Sequence, residues 1–220
     1  MAEVKEGIVV LLDVLGARNI SIDDCKKFIE NRDEFVASLQ PTPETLTKRF
    51  IDDINGDGGE LPEPEIITFA DTILLTWEVP LSVVASPLAI LETDLSKSFV
   101  KAISEFQMLL RGAISVGKYI IDQSTALGPA ISDAAAWYER AEWSGIIVTP
   151  HAGNYLHIHQ NDLEKFDEPA CVKQSYAYYP VPLKDGAKLN LWCVSWPRYF
   201  SAAESREDAL EKRSIFFSKD

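Results

Sequence analysis

A chain of 220 residues with 34 acidic and 21 basic side chains, formal charge -13, suits one compact domain and argues against general affinity for nucleic acid or anionic membrane. Cys25, Cys171 and Cys193 lie far apart with no CxxC pair for zinc or a redox centre, which points to reduced thiols in a cytoplasm. The N-terminal apolar run is too short to span a membrane, is broken by Asp13 and lacks a basic leader, so the expectation is a soluble cytoplasmic protein with no sensor or membrane segment fused to it.

In chain order, "GIVVLLDVLG" predicts a fully buried first strand, apolar without alternation until Asp13 and closed by Gly16. "SIDDCKKFIENRDEFVASLQ" spaces Ile22, Cys25, Phe28, Ile29, Phe35 and Val36 as a helix does. A further helical piece, "PETLTKRFIDDI", runs into the glycine-rich "NGDGGELPEPE". Residues 65–79, "EIITFADTILLTWEV", read as a strand, or as two strands joined by a hairpin tip at Ala70-Asp71-Thr72. Residues 93–110 predict an amphipathic helix capped by Thr93 or Asp94. "LRGAISVGKYIID" is a buried strand in which Gly112 and Gly117 permit close approach of another backbone. "GPAISDAAAWYERAEWSG" predicts a helix from the Gly-Pro break to Gly145, and "IIVTP" a short strand. "VPLKDGAKLNLWCVSW" predicts a hairpin turning at Asp185-Gly186, and residues 201–214 a charged surface helix. The succession suggests a mixed sheet with helices on one face, a single domain with its core over about 7–200.

Two carboxylates interrupt otherwise apolar strands, Asp13 before "VLG" and Asp71 within "FADT". If the strands are adjacent, both could bind a divalent metal through hard oxygen ligands, and the turn after Asp13 would offer the N–H groups of Leu15, Gly16 and Ala17 to a phosphate. The alternative makes both ordinary turn residues. Asp53, Asn55, Asp57 and Gly58 start like a calcium loop, but Pro64 stands where a bidentate Glu is needed, so this is a polar turn. His157 and His159 alternate on a possible strand as a surface pair. Arg111 suits either a phosphate or the C-terminus of the preceding helix, and Trp137, Tyr138 and Trp143 either a base or a packed interface.

"LLDVLGAR" resembles the first strand of class III nucleotidyl cyclases, with Asp13-Val14-Leu15-Gly16 on their Asp-Ile-x-Gly metal turn. "TFADTILLTW" is similar to their hairpin, Thr68, Phe69, Ala70 and Asp71 matching Thr-x-Gly-Asp; "LRGAISVG" resembles Arg-x-Gly-Ile-x-x-Gly. "LGPAISDAAAWYERA" with "GIIVTP" resembles Gly-x-x-Val-Asn-x-Ala-Ala-Arg and its following strand, and "VPLKDGAKLNLWCV" the closing hairpin. The resemblance implies an α/β (α+β) ferredoxin-like class III cyclase domain, a mixed, mostly antiparallel sheet with helices packed on it. It further implies a homodimer with shared active sites, metal aspartates coming from one subunit and the glycine-headed helix from the other. Asp13 and Asp71 would bind two Mn²⁺ or Mg²⁺ ions, with the Val14 carbonyl completing one shell. Arg111 and Lys184 would join Leu15, Gly16 and Ala17 in binding the triphosphate.

On the partner-facing helix, Ser132 replaces the transition-state Asn and Ala136 the Arg, on either side of Asp133. In the nucleobase pocket, where Thr68 and Phe69 also fall, Ile67 replaces the purine-reading Lys and Thr125 its acidic partner. These departures resemble the small stand-alone pyrimidine cyclases of Pycsar anti-phage systems, which make cyclic UMP or cyclic CMP, with UTP favoured over CTP here. The other readings are an adenylate cyclase with atypical base contacts, and an inactive cyclase-homology module that dimerises or binds nucleotide.

Overall fold

The computed structural model describes residues 3–17, 20–39, 63–123, 125–163 and 176–199. The helix expected over 43–54, the loop at Asp53–Gly58, Cys171 and the helix expected over 201–214 lie outside them.

Strand β1 (Val4–Val14) is buried from Gly7 to Val14, as its unbroken apolar run requires. Helix α1 (Ile22–Ser38) begins where the Ser21 side chain accepts the Asp24 N–H. Strands β2 (Glu65–Phe69) and β3 (Thr72–Glu78) form the hairpin expected from the Ala70-Asp71 break, and Ala70 turns it at φ 52°. Asp71 therefore stands half-buried at a tip, not on a buried strand.

Helix α2 runs from Ala85 to Ser104, earlier at both ends than the expected 93–110. Thr93 and Asp94 are mid-helix, not caps; Pro87 lies in the first turn, where its missing N–H costs no helical bond. After it, Gln107 adopts φ 54° and the chain turns into strand β4 (Leu110–Asp122). A short strand β5 (Thr125–Leu127) folds back on β4 and leads into helix α3 (Pro129–Tyr138).

Helix α3 stops seven residues before Gly145, which instead opens strand β6 (Gly145–Val148). The segment between them pairs elsewhere: Ala141 bridges Leu183, and the Glu142 N–H donates to the Pro182 carbonyl at 2.9 Å. Helix α4 (Pro150–Leu163) was not expected, and it places His157 and His159 on a helix and not on a strand. Its signal was present in Thr149-Pro150, a capping hydroxyl before a first-turn proline, and Thr149 Oγ1 accepts the Ala152 N–H at 3.3 Å. Strands β7 (Tyr176–Pro182) and β8 (Lys188–Val194) close the sheet around Asp185-Gly186, with Gly186 at φ 81°.

The sheet order is β2-β3-β1-β4-β6-β8-β7, with β5 paired to β4. All pairs are antiparallel except β4 with β6, and the first four strands have the ferredoxin-like order. Helices lie on both faces, contrary to the one-sided arrangement expected, because a strand apolar on both sides needs cover on both. Ile8, Val10 and Leu12 pack under α1, α2 and α4 through Phe35, Leu88, Leu95, Phe99 and Leu156. Val9 and Leu11 face the other way, toward Ala130 and Ala134 of α3 and Val181 and Leu191 of the last hairpin. Gly112 meets the Leu11 carbonyl 2.7 Å from where a Cβ would be, and Gly117 admits Ala130 of α3 at 3.5 Å. Gly112 fulfils the close backbone approach expected of it, whereas at Gly117 a Cβ would make only ordinary contact with Ala130 and the glycine instead serves a φ of 145°.

Candidate active site

Asp13 is the penultimate residue of β1, on the face that α3 covers. Strand register sets it beside Thr72 on one side and Arg111 on the other. The Val14 N–H donates to the Asp71 carbonyl at 3.0 Å, so the tip carrying the second carboxylate is tied to the end of β1. Adjacent central strands therefore bring Asp13, Asp71 and Arg111 to one end of the sheet.

Arg111 answers the charge of Asp13. Its Nη2 donates to Asp13 Oδ2 at 2.7 Å, with the two side chains 11% and 10% exposed, in a setting of low dielectric where a lone carboxylate would be costly. Its Nη1 donates to the Ala141 carbonyl at 3.3 Å, and its guanidinium lies 5.4 Å from the centre of the Tyr138 ring. Its Nε is buried and, among the described residues, without a hydrogen-bond partner. Helix α2 ends well before it, so Arg111 caps no helix.

Tyr138, last residue of α3, shows in the sequence only as a base-stacking or packing aromatic. Burial pushes its hydroxyl pKa up, and the charges of Asp13, Glu139 and Asp71 push the same way while Arg111 opposes them. Both candidate metal carboxylates thus act on one phenol. No sequence signal joins positions so distant; strand register does.

Arg32 of α1 likewise carries no signal in the sequence. Its Nη1 donates to the Ala70 carbonyl at 2.6 Å, while Nε and Nη2 hold Asp33 at 3.0 and 2.8 Å. It therefore clamps the strained residue immediately before Asp71.

The turn after Asp13 departs from expectation in one atom. The Leu15 N–H is consumed by the Leu109 carbonyl at 2.8 Å, so it cannot also serve a phosphate. Gly16 is exposed at φ 85° with open space around it, and Ala17 follows half-buried. Lys184 is exposed in the β7–β8 turn, its N–H donating to the Arg140 carbonyl at 2.9 Å, one residue from the carbonyl that Arg111 holds.

Ser132 and Ala136 are exposed one turn apart on α3, whereas Asp133 points inward and accepts from the Ser115 hydroxyl at 2.7 Å. Ile67, half-buried on edge strand β2, packs into the α3 side of the core; Thr68 and Phe69 are exposed, Phe69 at 79%. Thr125 is distant. Ile67 shares a level with Leu74, Leu11 and Ala113, while Thr125 pairs Asp122 near the opposite end of β4. Those nine residues amount to roughly 30 Å of strand, so one chain does not bring Ile67 and Thr125 to a common site by strand register.

Among the described residues no three His, Cys, Asp or Glu side chains converge as a metal cage. Asp13 and Asp71 nevertheless fit a hard divalent cation, since Mg²⁺ is ordinarily held by one or two carboxylates plus substrate phosphates.

No family model matches the sequence, and no curated protein matches it. Among solved structures the chain is similar to the catalytic core of a rhodopsin-guanylyl cyclase with converted specificity, in complex with ATPalphaS, at TM-score 0.51 and 13% identity, over 88% of this chain and 97% of that one. It is also similar to an adenylate/guanylate cyclase/hydrolase from Silicibacter pomeroyi, at 0.44 and 14%, over 88% and 98%. A third is the guanylyl cyclase Cya2, at 0.42 and 12%, over 88% and 93%. At such identities likeness speaks to fold alone, and the first match carries it: the chain has the mixed, mostly antiparallel fold of a class III cyclase catalytic domain.

Proposed function

We propose that the protein is a nucleotidyl cyclase, a phosphorus–oxygen lyase that converts a nucleoside triphosphate to a 3′,5′-cyclic nucleotide and pyrophosphate. The observation that carries this is the meeting of Asp13, Asp71 and Arg111 at one end of a cyclase-type sheet. Asp13 and Asp71, with the Val14 carbonyl, would hold the divalent cations, Mn²⁺ or Mg²⁺. Bound there, the ions supply positive charge that acidifies a ribose 3′-OH and offsets charge on the triphosphate. The Gly16 and Ala17 N–H groups, Arg111 and Lys184 would grip the phosphates, so that the 3′ oxygen lies in line with the α-phosphorus and pyrophosphate departs.

A shared active site between two copies is supported by register. Asp13 and Thr125 lie toward opposite ends of the β1–β4 pair, and Ser132 and Ala136 face outward from α3. Two antiparallel copies would bring the metal end of one chain to the α3 face of the other. For the base, apolar Ile67 offers no polar group to read a purine's edge, and its neighbour Thr68 turns its hydroxyl to the opposite face of β2. That favours a small pyrimidine, UTP before CTP, and with it a messenger role in anti-phage defence in the cytoplasm. An inactive module is the second reading, favoured by the small exposed Ser132 and Ala136 where polar groups would steady the reacting phosphate.

Incubating the protein with all four NTPs in equal amounts plus Mn²⁺, and separating products by mass, tests both. Cyclic UMP or cyclic CMP should dominate, and Asp71→Asn should lower turnover by on the order of 10²–10³ without unfolding the chain. Predominant cyclic AMP would overturn the pyrimidine assignment; nucleotide binding without product would leave the inactive module.

A further inference from the structure

We propose that Arg111 is a resident counter-ion of the site: it occupies Asp13 in the nucleotide-free chain and is handed to the incoming triphosphate when Asp13 is taken by a divalent cation. This rests on the metal-site reading above and adds an order of events to it.

Three observations carry it. Asp13 and Arg111 face each other in register on the two central strands, so their pairing is fixed by the sheet and needs no loop to close. Asp13 Oδ2 is already engaged at 2.7 Å, in a setting where both side chains are nearly buried and charges are poorly screened. A dication on the same carboxylate would repel the guanidinium strongly. Finally, the guanidinium is under-bonded. Besides Asp13 it has one long contact to the Ala141 carbonyl at 3.3 Å, a ring face at Tyr138, and a buried Nε with no partner among the described residues. Five N–H donors suited to a phosphate or carboxylate fork are thus incompletely used. A phosphate oxygen would complete what Ala141 and Tyr138 leave open.

Release would also be felt at Lys184. The Ala141 carbonyl that Arg111 touches belongs to the residue that bridges Leu183, and the neighbouring Arg140 carbonyl accepts from the Lys184 N–H. Two phosphate-binding cations therefore share one backbone support.

The test uses the full chain without nucleotide. In EDTA, inorganic tripolyphosphate binding is measured by calorimetry for the wild type, Asp13→Asn and Asp71→Asn. The two substitutions remove the same charge, but only the first releases Arg111. Asp13→Asn should bind roughly tenfold more tightly than Asp71→Asn, and Arg111→Met added to Asp13→Asn should cancel the gain. Equal affinities for the two single variants would overturn the proposal, and this arm stands whether or not the site takes a metal. Mn²⁺ is then titrated into the wild type and Arg111→Met, following electron paramagnetic resonance of the ion. Tighter Mn²⁺ binding by Arg111→Met supports the handover, and equal or weaker binding refutes it. If no variant binds Mn²⁺, the metal-site reading fails and the handover to a cation fails with it, while the tripolyphosphate arm still reports whether Asp13 restrains Arg111. Should Arg111→Met fail to fold, Arg111→Gln replaces it in both arms with the same expected directions, because the amide removes the charge while keeping a donor for the Ala141 carbonyl.

Discussion

Arg32 and Arg111 stand at the same end of the sheet and do different things there. Arg111 neutralises a carboxylate, whereas Arg32 holds the backbone that presents the other one. The carbonyl it grips belongs to Ala70, a non-glycine residue at φ 52°, a conformation that persists only when its surroundings impose it. Arg32→Met should therefore loosen the Asp71 tip. The Mn²⁺ concentration giving half-maximal activity should rise by about 10–100-fold, while thermal stability changes little. Arg32→Lys, which keeps a donor, should recover part of the loss. A fall in melting temperature with an unchanged Mn²⁺ requirement would make Arg32 a mere packing residue.

These residue-scale relations mark the limit of what was legible in the sequence. Asp13 stands out because an acid in an apolar run needs a partner, whereas Asp71 sits at a hairpin tip, where the turn alone accounts for an acid. Arg32 and the pairing of Arg111 with Asp13 leave no such mark, since they depend on strand register and helix placement between positions 38 and 98 residues apart, and Tyr138 lies farther still in sequence from Asp13. Local pattern carries no such information.

At the scale of elements, the boundaries that escaped sequence reasoning have local causes. Proline in a first turn resembles a break and hid the start of α2, and pairing of Ala141 and Glu142 with the last hairpin ended α3 early. A further element-level feature is the anchor between α2 and the end of β8. Glu92 is fully buried and accepts from the Ser96 hydroxyl at 2.8 Å, from the Ser195 N–H at 2.9 Å and from Arg198. Burial raises its carboxyl above the ordinary 4.5, against the pull of the Ser96, Ser195 and Arg198 contacts. A carboxyl whose native pKa exceeds its unfolded value favours the fold while protonated. Its contribution is complete below about pH 4.5 and is lost as pH rises through the native value. Glu92→Gln should remove that decline, so the melting temperatures of variant and wild type, followed upward from pH 4.5, should draw apart in the variant's favour. Parallel curves would show that Glu92 stays ionised throughout. Asp94, also raised by burial, contributes to both profiles alike.

For the whole molecule, the strand order and the two-faced core follow from features that the sequence did contain: an apolar run on both faces of β1 and a hairpin break at Ala70-Asp71. The shared active site proposed above requires two copies, and sedimentation at micromolar concentration should show a dimer. A monomer that still cyclises would refute it. How two copies can meet is restricted by the rim of the sheet. Strand β7 ends the order, and Pro180 and Pro182 within it have no N–H to offer a neighbouring strand. Among the described residues that margin is therefore a poor template for a second molecule's strand, and at its end the Pro182 carbonyl is already taken by the Glu142 N–H. It also steers self-association away from this rim, toward the sheet's flat surfaces or its β2 side.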